Sequence, residues 1–270
     1  MIKLDPIDYQ LWSIDKFSFS ELLGKSFKET GFAIIENHRI SEKIIRNADI
    51  SSEAFFSLPQ NIKQKYSDPE DGFQRGYSPV GTENAKNKKE ADLKEFWHFG
   101  QYVDDDDKLA QEYPKNVAVD ELPNFNTVGK DTYEMLEKTA KYVLRALALH
   151  LNLEETYFDE FIYKGNSILR PIHYPPILNE PNDAVRAAAH GDINLITLLM
   201  GAQGRGLQVQ NNDGEWLDAI ADPDELMINV GDMLSRHTNN KLKSTIHRVI
   251  NPPRELWGKS RYSIPFFMHP

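Results

Sequence analysis

The 270-residue sequence contains no cysteine. Disulfides, thiolate zinc sites, cysteine-ligated iron–sulfur clusters and a cysteine nucleophile are all excluded by that one absence. Nowhere do about 18 apolar residues run together, the length a membrane-crossing helix needs, so no membrane span is expected. The opening residues, Met1-Ile2-Lys3-Leu4-Asp5, lack the long apolar core of a signal peptide. A cytoplasmic location is the expectation, and a cysteine-free chain fits a reducing compartment. Positive charge is scarce as well: 31 Lys and Arg stand against 41 Asp and Glu, a formal net charge of −10. Phosphate backbones are held by clustered cations, so nucleic acid is not an expected partner. Part of the acidic surplus is local, in Asp104-Asp105-Asp106-Asp107, which reads as a solvated loop.

What is present is the composition of an ordinary globular protein, with 40% hydrophobic, 11% aromatic and 27% charged residues. No compositional break marks a flexible linker and no internal repeat is visible. One integrated domain spanning 1–270 is expected, with 1–160 mainly helical and carrying the first strands. Phe19, Leu22, Leu23 and Phe27 fall at helical spacing in a segment that ends at Gly31. Phe32-Ala33-Ile34-Ile35 then reads as a short strand. A second helix runs from Ser41 to near Leu58-Pro59, where proline disfavours helix at the preceding residue. Tyr133, Leu136, Ala140, Val143, Leu144, Leu147 and Leu151 alternate in steps of three and four, an apolar stripe facing a core.

After about residue 165 the texture changes to short β-rich segments. These are Ser167–Tyr174, Leu195–Met200, Leu207–Gln210, Leu226–Val230, His247–Ile250 and Arg261–Phe267. Turn-formers separate them, at Pro175-Pro176, Asn211-Asn212-Asp213-Gly214, Gly231-Asp232 and Asn239-Asn240. Many short strands in succession suggest a barrel or a double-sheet jelly roll, with the preceding helices packed outside it.

Within this region, Ala187-Ala188-Ala189-His190-Gly191-Asp192 carries the clearest chemistry. In a strand, residues i and i+2 point to one side, so His190 and Asp192 can aim imidazole and carboxylate at one point. A second imidazole on that point completes a facial set with open positions, which suits iron(II). His247, in a strand entered from the Asn239-Asn240 turn, has the right setting. His38, His98, His150, His237 and His269 lack a partner at comparable spacing and read as structural or surface residues, while His173 adjoins Tyr174. Arg261 and Ser263 form another i, i+2 pair, and a guanidinium beside a hydroxyl is a receptor for a carboxylate.

Taken together these segments resemble the isopenicillin N synthase-like branch of the iron(II)/2-oxoglutarate-dependent dioxygenases. The resemblance spans nearly the whole chain. It runs from Gly31-Phe32-Ala33-Ile34-Ile35-Glu36-Asn37-His38 through Phe55-Phe56-Ser57-Leu58-Pro59 and Gln74-Arg75-Gly76-Tyr77-Ser78-Pro79. In the second half it rests on His173-Tyr174-Pro175-Pro176, His190-Gly191-Asp192, Leu195-Ile196-Thr197-Leu198-Leu199 and Gly206-Leu207-Gln208-Val209. Asn229-Val230-Gly231-Asp232, the stretch from Lys243-Ser244 to His247-Arg248-Val249, and Arg261-Tyr262-Ser263 complete it.

The resemblance implies a mainly β fold with supporting helices, a double-stranded β-helix or jelly roll. It implies iron(II) held by His190, Asp192 and His247, with 2-oxoglutarate as co-substrate and O2 as oxidant. Arg261 and Ser263 would bind the distal carboxylate of 2-oxoglutarate, and Tyr174 would assist. The implied reaction is oxidative decarboxylation of 2-oxoglutarate coupled to hydroxylation or related C–H oxidation of a small-molecule substrate. Asp92-Leu93-Lys94-Glu95-Phe96-Trp97-His98-Phe99 resembles a stretch passing near the open side of the iron. If it is extended, Phe96 and His98 face one side and Trp97 and Phe99 the other.

Two departures from the pattern stand out. The family often has asparagine two residues before Tyr174, where this chain has Ile172, which cannot offer that hydrogen bond. The sequence also ends at Phe267-Met268-His269-Pro270, soon after the arginine strand, whereas family members usually continue through a segment that helps cover the site. Either a tail is missing from the sequence or the pocket is open. Two alternatives share the same residues: an iron(II) oxidase that binds a substrate carboxylate without 2-oxoglutarate, and a non-catalytic metal-binding jelly roll. The substrate and the oligomeric state are not legible in the residues.

Overall fold

The computed structural model describes residues 4–83, 90–200, 206–211 and 213–270. Asn212, in one expected turn, and Met1-Ile2-Lys3 at the start of the chain lie outside the described residues. The first half forms β1 (Ile7–Asp8), α1 (Leu11–Ile14), α2 (Lys16–Thr30), β2 (Phe32–Glu36), α3 (Glu42–Phe56), α4 (Gln60–Lys63), β3 (Gly76–Ser78), β4 (Glu95–Gly100) and α5 (Pro123–His150). The second half forms β5 (Ile168–Leu169), β6 (Ile172–Tyr174), β7 (Ala187–His190), β8 (Ile196–Met200) and β9 (Leu207–Gln210). It continues through β10 (Trp216–Asp218), β11 (Leu226–Val230), α6 (Asp232–His237), β12 (His247–Val249) and β13 (Arg261–Met268).

Local chemistry sets these boundaries. Asp15 accepts from Ser18 N at 3.1 Å and Ser41 from Ile44 N at 3.4 Å, capping α2 and α3. Gly31 closes α2 with φ of 74°, the left-handed conformation that a side chain would strain. Pro123 opens α5 at the position where no N–H is needed, so this helix begins well before its first stripe residue, Tyr133.

Three expectations are corrected. The single strand read over Ser167–Tyr174 is two short strands, because Pro171 interrupts the ladder and its carbonyl accepts instead from Trp97 N at 2.9 Å. Gly231-Asp232 does not form a turn between strands but leads into α6, and His237 ends the same helix. The turn comes at Asn239 and Asn240, with φ of 52° and 60°. Leu22 is exposed although it falls at the spacing of the α2 stripe.

The strands form two sheets. The larger has the order β1-β2-β11-β8-β13-β5-β4-β3, with β6 pairing β13 and β4; the smaller has the order β10-β9-β12-β7. Strands from both halves interleave in the larger sheet, with β2 lying between β1 and β11. One apolar cluster lies between the larger sheet and the helices, a second between the two sheets. Alternation along β2 shows how one strand serves both: Ala33 and Ile35 enter the helix-side core, Phe32 and Ile34 the inter-sheet core. A sheet buried on both faces reads as a continuous apolar run, which is why these strands are legible in the sequence. The architecture is the expected jelly roll with helices backing one sheet. Among the described residues no helix is long and apolar enough to cross a membrane.

Candidate active site

The smaller sheet brings the two histidines together. His190 at the end of β7 and His247 at the start of β12 are register partners across an antiparallel pair, with ring centroids 4.5 Å apart. Asp192 lies two residues beyond His190, outside the strand, so its approach is not set by a strand pleat as the sequence suggested. Instead its backbone carbonyl accepts from Asp232 N at 2.7 Å, tying the loop to the first turn of α6. The Asp192 Oδ1 atom stands 4.0 Å from His190 Nε2 and 3.7 Å from His247 Nε2. One ligand atom from each of the three lies within 4.8 Å of the others.

The remaining atoms of this triad are already occupied, which decides what the free ones face. His190 Nδ1 is 2.7 Å from Ala188 O and His247 Nδ1 is 3.2 Å from Thr245 O. A carbonyl can only accept, so each Nδ1 carries a proton and Nε2 is the ring atom left to face the centre. Asp192 Oδ2 accepts from Thr197 Oγ1 at 2.6 Å and from Asn229 Nδ2 at 2.7 Å, leaving Oδ1 for the centre. Burial alone would raise the Asp192 pKa, but His247, Asn229 and Thr197 together hold it below the ordinary range. Burial, with His247 close by, depresses the His190 pKa, so this ring is neutral near pH 7. Two imidazoles and one ionised carboxylate converge on one point, and this donor set fits iron(II).

Thr197 and Asn229 lie in segments that carry the resemblance, but sequence alone assigns them no role. A signal is present all the same: each is a buried polar residue inside an otherwise apolar strand, Ile196–Met200 and Leu226–Val230.

Arg261 and Ser263 face the same cavity as the triad, on β13, with Tyr174 and Ile172 as their register partners on β6. Arg261 is 3% exposed, yet its Nε and Nη1 have no hydrogen-bond partner among the described residues. A buried guanidinium with orphaned donors is costly alone and fits a carboxylate placed against it. Its Cζ lies 4.9 Å from the Tyr174 ring centroid, so the tyrosine packs against the guanidinium. A second buried arginine, Arg186, lies 5.9 Å from the same ring and donates to Lys259 O at 3.0 Å. His173 points away from this cavity: its Nδ1 is 2.7 Å from Glu95 Oε1 and its Nε2 is 2.9 Å from Ser260 Oγ.

The segment around Phe96 is extended, as β4, and its two faces separate cleanly. Trp97 and Phe99 enter the helix-side core, whereas Phe96 joins Ile172 and Tyr174 in the inter-sheet core. On the Phe96 side, Arg170 caps the ring at 4.4 Å from its centroid and donates from Nε to His98 Nε2 at 2.6 Å. Burial and the adjacent Arg170 push the His98 pKa well below the ordinary range. Arg170 Nη1 reaches Glu83 Oε1 at 3.3 Å, and Glu83 Oε2 pairs with Lys94 Nζ at 2.7 Å. These residues border an outer chamber of ≈ 320 Å³, which opens beside an inner cavity of ≈ 80 Å³. Lys94, Arg170, His190, Asp192 and Phe267 line both. His269 lines the outer chamber, although nothing in its sequence setting points to the site.

Comparison with known proteins shows the family. Residues 165–270 match the 2OG-Fe(II) oxygenase superfamily and residues 4–121 match the N-terminal region of the family described as non-haem dioxygenase in morphine synthesis. A 2-oxoglutarate-Fe(II) type oxidoreductase of Aspergillus fumigatus is 32% identical over 246 residues, covering 88% of this chain and 72% of that protein. A 2OG-Fe(II) oxygenase family protein of Caulobacter crescentus superposes with a TM-score of 0.91 at 43% identity, covering all of this chain and 87% of the other. A full-length Neurospora crassa protein, solved in complex with alpha-KG and thymine, has a TM-score of 0.84 at 29% identity, covering 99% of this chain and 86% of the other. The chain belongs to the isopenicillin N synthase-like branch of the 2OG-Fe(II) oxygenase superfamily and is a non-haem iron(II), 2-oxoglutarate-dependent dioxygenase, using O2 to couple decarboxylation of 2-oxoglutarate to C–H oxidation of a substrate.

Proposed function

We propose that His190, Asp192 and His247 hold the iron, that Arg261 and Ser263 bind the distal carboxylate of 2-oxoglutarate, and that Tyr174 orients Arg261. The observation that carries this reading is the division of donor atoms. Every triad atom turned away from the centre has a partner, and the atoms facing it have, among the described residues, none but each other. Bound iron(II) supplies the oxidative chemistry, and the protein contributes position and exclusion. Ala188 O and Thr245 O keep the protons on Nδ1, so that Nε2 of each ring stays free to ligate. Thr197 and Asn229 keep Asp192 ionised and fix its rotamer. Arg261 directs its orphaned N–H groups at the carboxylate, which sets how deep the co-substrate sits.

The substrate is a free small molecule that enters through the outer chamber and meets the iron beyond the ring of Lys94, Arg170 and Phe267. A volume of ≈ 320 Å³ is at the lower end for small-molecule sites. The acidic chain, net charge −10, supports a small molecule over a nucleic-acid polymer. A single functional domain and a cytoplasmic location belong to the same reading. The test is succinate release measured with iron(II), 2-oxoglutarate and O2, with and without substrate candidates. Release that needs both iron(II) and 2-oxoglutarate supports the reading. A protein that binds neither refutes it.

A further inference from the structure

The lining of the inner cavity has an apolar residue where the family often has asparagine. Ile172 lies there, 7% exposed, paired with Phe96 across β6 and β4. On one side Ile172 pairs with Ser263, already assigned to the far carboxylate; on the other side, the polar group nearest along the chain entering β4 is Lys94. Since Glu95 pairs with His173, Lys94 stands at the level of Tyr174, on the face of the strand that also carries Phe96. Its side chain is only 6% exposed and lines both the inner cavity and the outer chamber.

A buried ammonium needs partners, and Lys94 has two. Nζ lies 2.8 Å from Asp92 Oδ2 and 2.7 Å from Glu83 Oε2. Asp92 in turn accepts from Ala188 N on the His190 strand at 2.9 Å through its other oxygen. An ammonium has three N–H donors, so one donor on Lys94 remains beyond these two carboxylates. With Arg170 included, two cations and two anions balance. Lys94 therefore offers the cavity a directed, charge-assisted donor and not a net positive field.

We infer that Lys94 donates to the metal-side carboxylate of 2-oxoglutarate, supplying from the residue just before β4 the hydrogen bond that Ile172 cannot supply from β6. This rests on the cavity being the co-substrate site, as proposed above. It makes Lys94 part of the co-substrate receptor and assigns Asp92 and Glu83 the task of aiming it. The far carboxylate is left to Arg261 and Ser263.

The test is anaerobic calorimetric titration of 2-oxoglutarate into manganese(II)-loaded protein, with melting temperature as a second readout. The proteins are wild type, Lys94→Met, the charge-balanced pair Lys94→Met/Glu83→Gln, and Lys94→Met/Ile172→Asn. Loss of one charge-assisted hydrogen bond should weaken binding by about tenfold to hundredfold in both Lys94→Met and the balanced pair. Metal stoichiometry should not change. Adding Ile172→Asn should recover part of the affinity, which a merely structural role for Lys94 would not allow. If Lys94→Met fails to fold, the charge-balanced pair decides. Binding as tight as wild type in a folded Lys94 variant, or a loss that Ile172→Asn leaves untouched, overturns the inference and spares the reading of the site. A wild-type protein that binds no 2-oxoglutarate overturns both.

Discussion

Asn229 donates a 2.7 Å hydrogen bond to Oδ2 of Asp192, the oxygen that also accepts from Thr197 at 2.6 Å. Both donors come from strands of the larger sheet, while both histidines sit on the smaller one, so the carboxylate is clamped from across the jelly roll. Substituting Asn229 by Ala removes one clamp and leaves a buried carboxylate short of a donor. Such supporting partners typically cost about tenfold to hundredfold in metal affinity. The Asn229→Ala protein should bind iron(II) more weakly by that order, in a competitive chelator titration, with 2-oxoglutarate affinity of the metal-saturated form near wild type.

Arg261→Leu should act on the co-substrate instead. A hydrogen bond to a charged group contributes about 1.5–3 kcal/mol, roughly one to two orders of magnitude in affinity. Calorimetry with 2-oxoglutarate should show that loss, with iron stoichiometry unchanged because Arg261 is not among the proposed ligands. A loss of iron binding in this variant would mean the guanidinium holds the site together structurally.

Phe96 and Trp97 are adjacent in sequence and opposite in consequence. Trp97 packs between Phe55, Phe99 and Phe125 at centroid distances of 4.7, 5.8 and 5.1 Å, so truncation to Ala should destabilise by about 3–5 kcal/mol. Phe96 is buried too, so Phe96→Ala should also lower the melting temperature, but because Phe96 supports Arg170 at the mouth the folded variant should in addition release succinate without matching product. Thermal melts and paired succinate and product assays separate the two.

The mouth should also respond to acid. Burial would raise the Glu83 pKa, but Arg170 and Lys94 hold it at about 2, below the usual glutamate range. A depressed carboxylate stabilises the fold fully at pH above its unfolded value, and that contribution is lost as pH falls toward the folded one. Melting temperatures of wild type and Glu83→Gln should therefore differ at neutral pH and converge as pH falls below about 4.5, the ordinary range of a glutamate. A difference that stays constant down to about pH 3, well inside that window, would show that these ion pairs do not stabilise the protein through charge.

Much of this is legible from sequence for physical reasons that can be named. Strands buried on both faces are runs of apolar residues, so Phe32–Ile35 and Leu226–Val230 announce themselves. The Arg261/Ser263 pair is readable because both lie on one strand face. The His190/Asp192 pair is visible for a partly wrong reason: Asp192 is placed by the backbone of Asp232 and by two hydrogen bonds, not by a pleat. Strands of two or three residues, such as β1, β3 and β10, carry too few positions for a period to show. The quartet of Glu83, Asp92, Lys94 and Arg170 is hidden in the sequence because only Asp92 and Lys94 are neighbours there, and the fold brings Glu83 and Arg170 to them.

His190 and His247 face each other as register partners, and the central claim is that they and Asp192 hold catalytic iron. The most direct measurement is anaerobic iron(II) titration of wild type and His247→Ala, followed by O2-dependent succinate release from the same samples. The account predicts stoichiometric iron and 2-oxoglutarate-dependent succinate for the wild type. For a folded His247→Ala protein it predicts loss of both. Stoichiometric iron binding with full turnover in His247→Ala would contradict it.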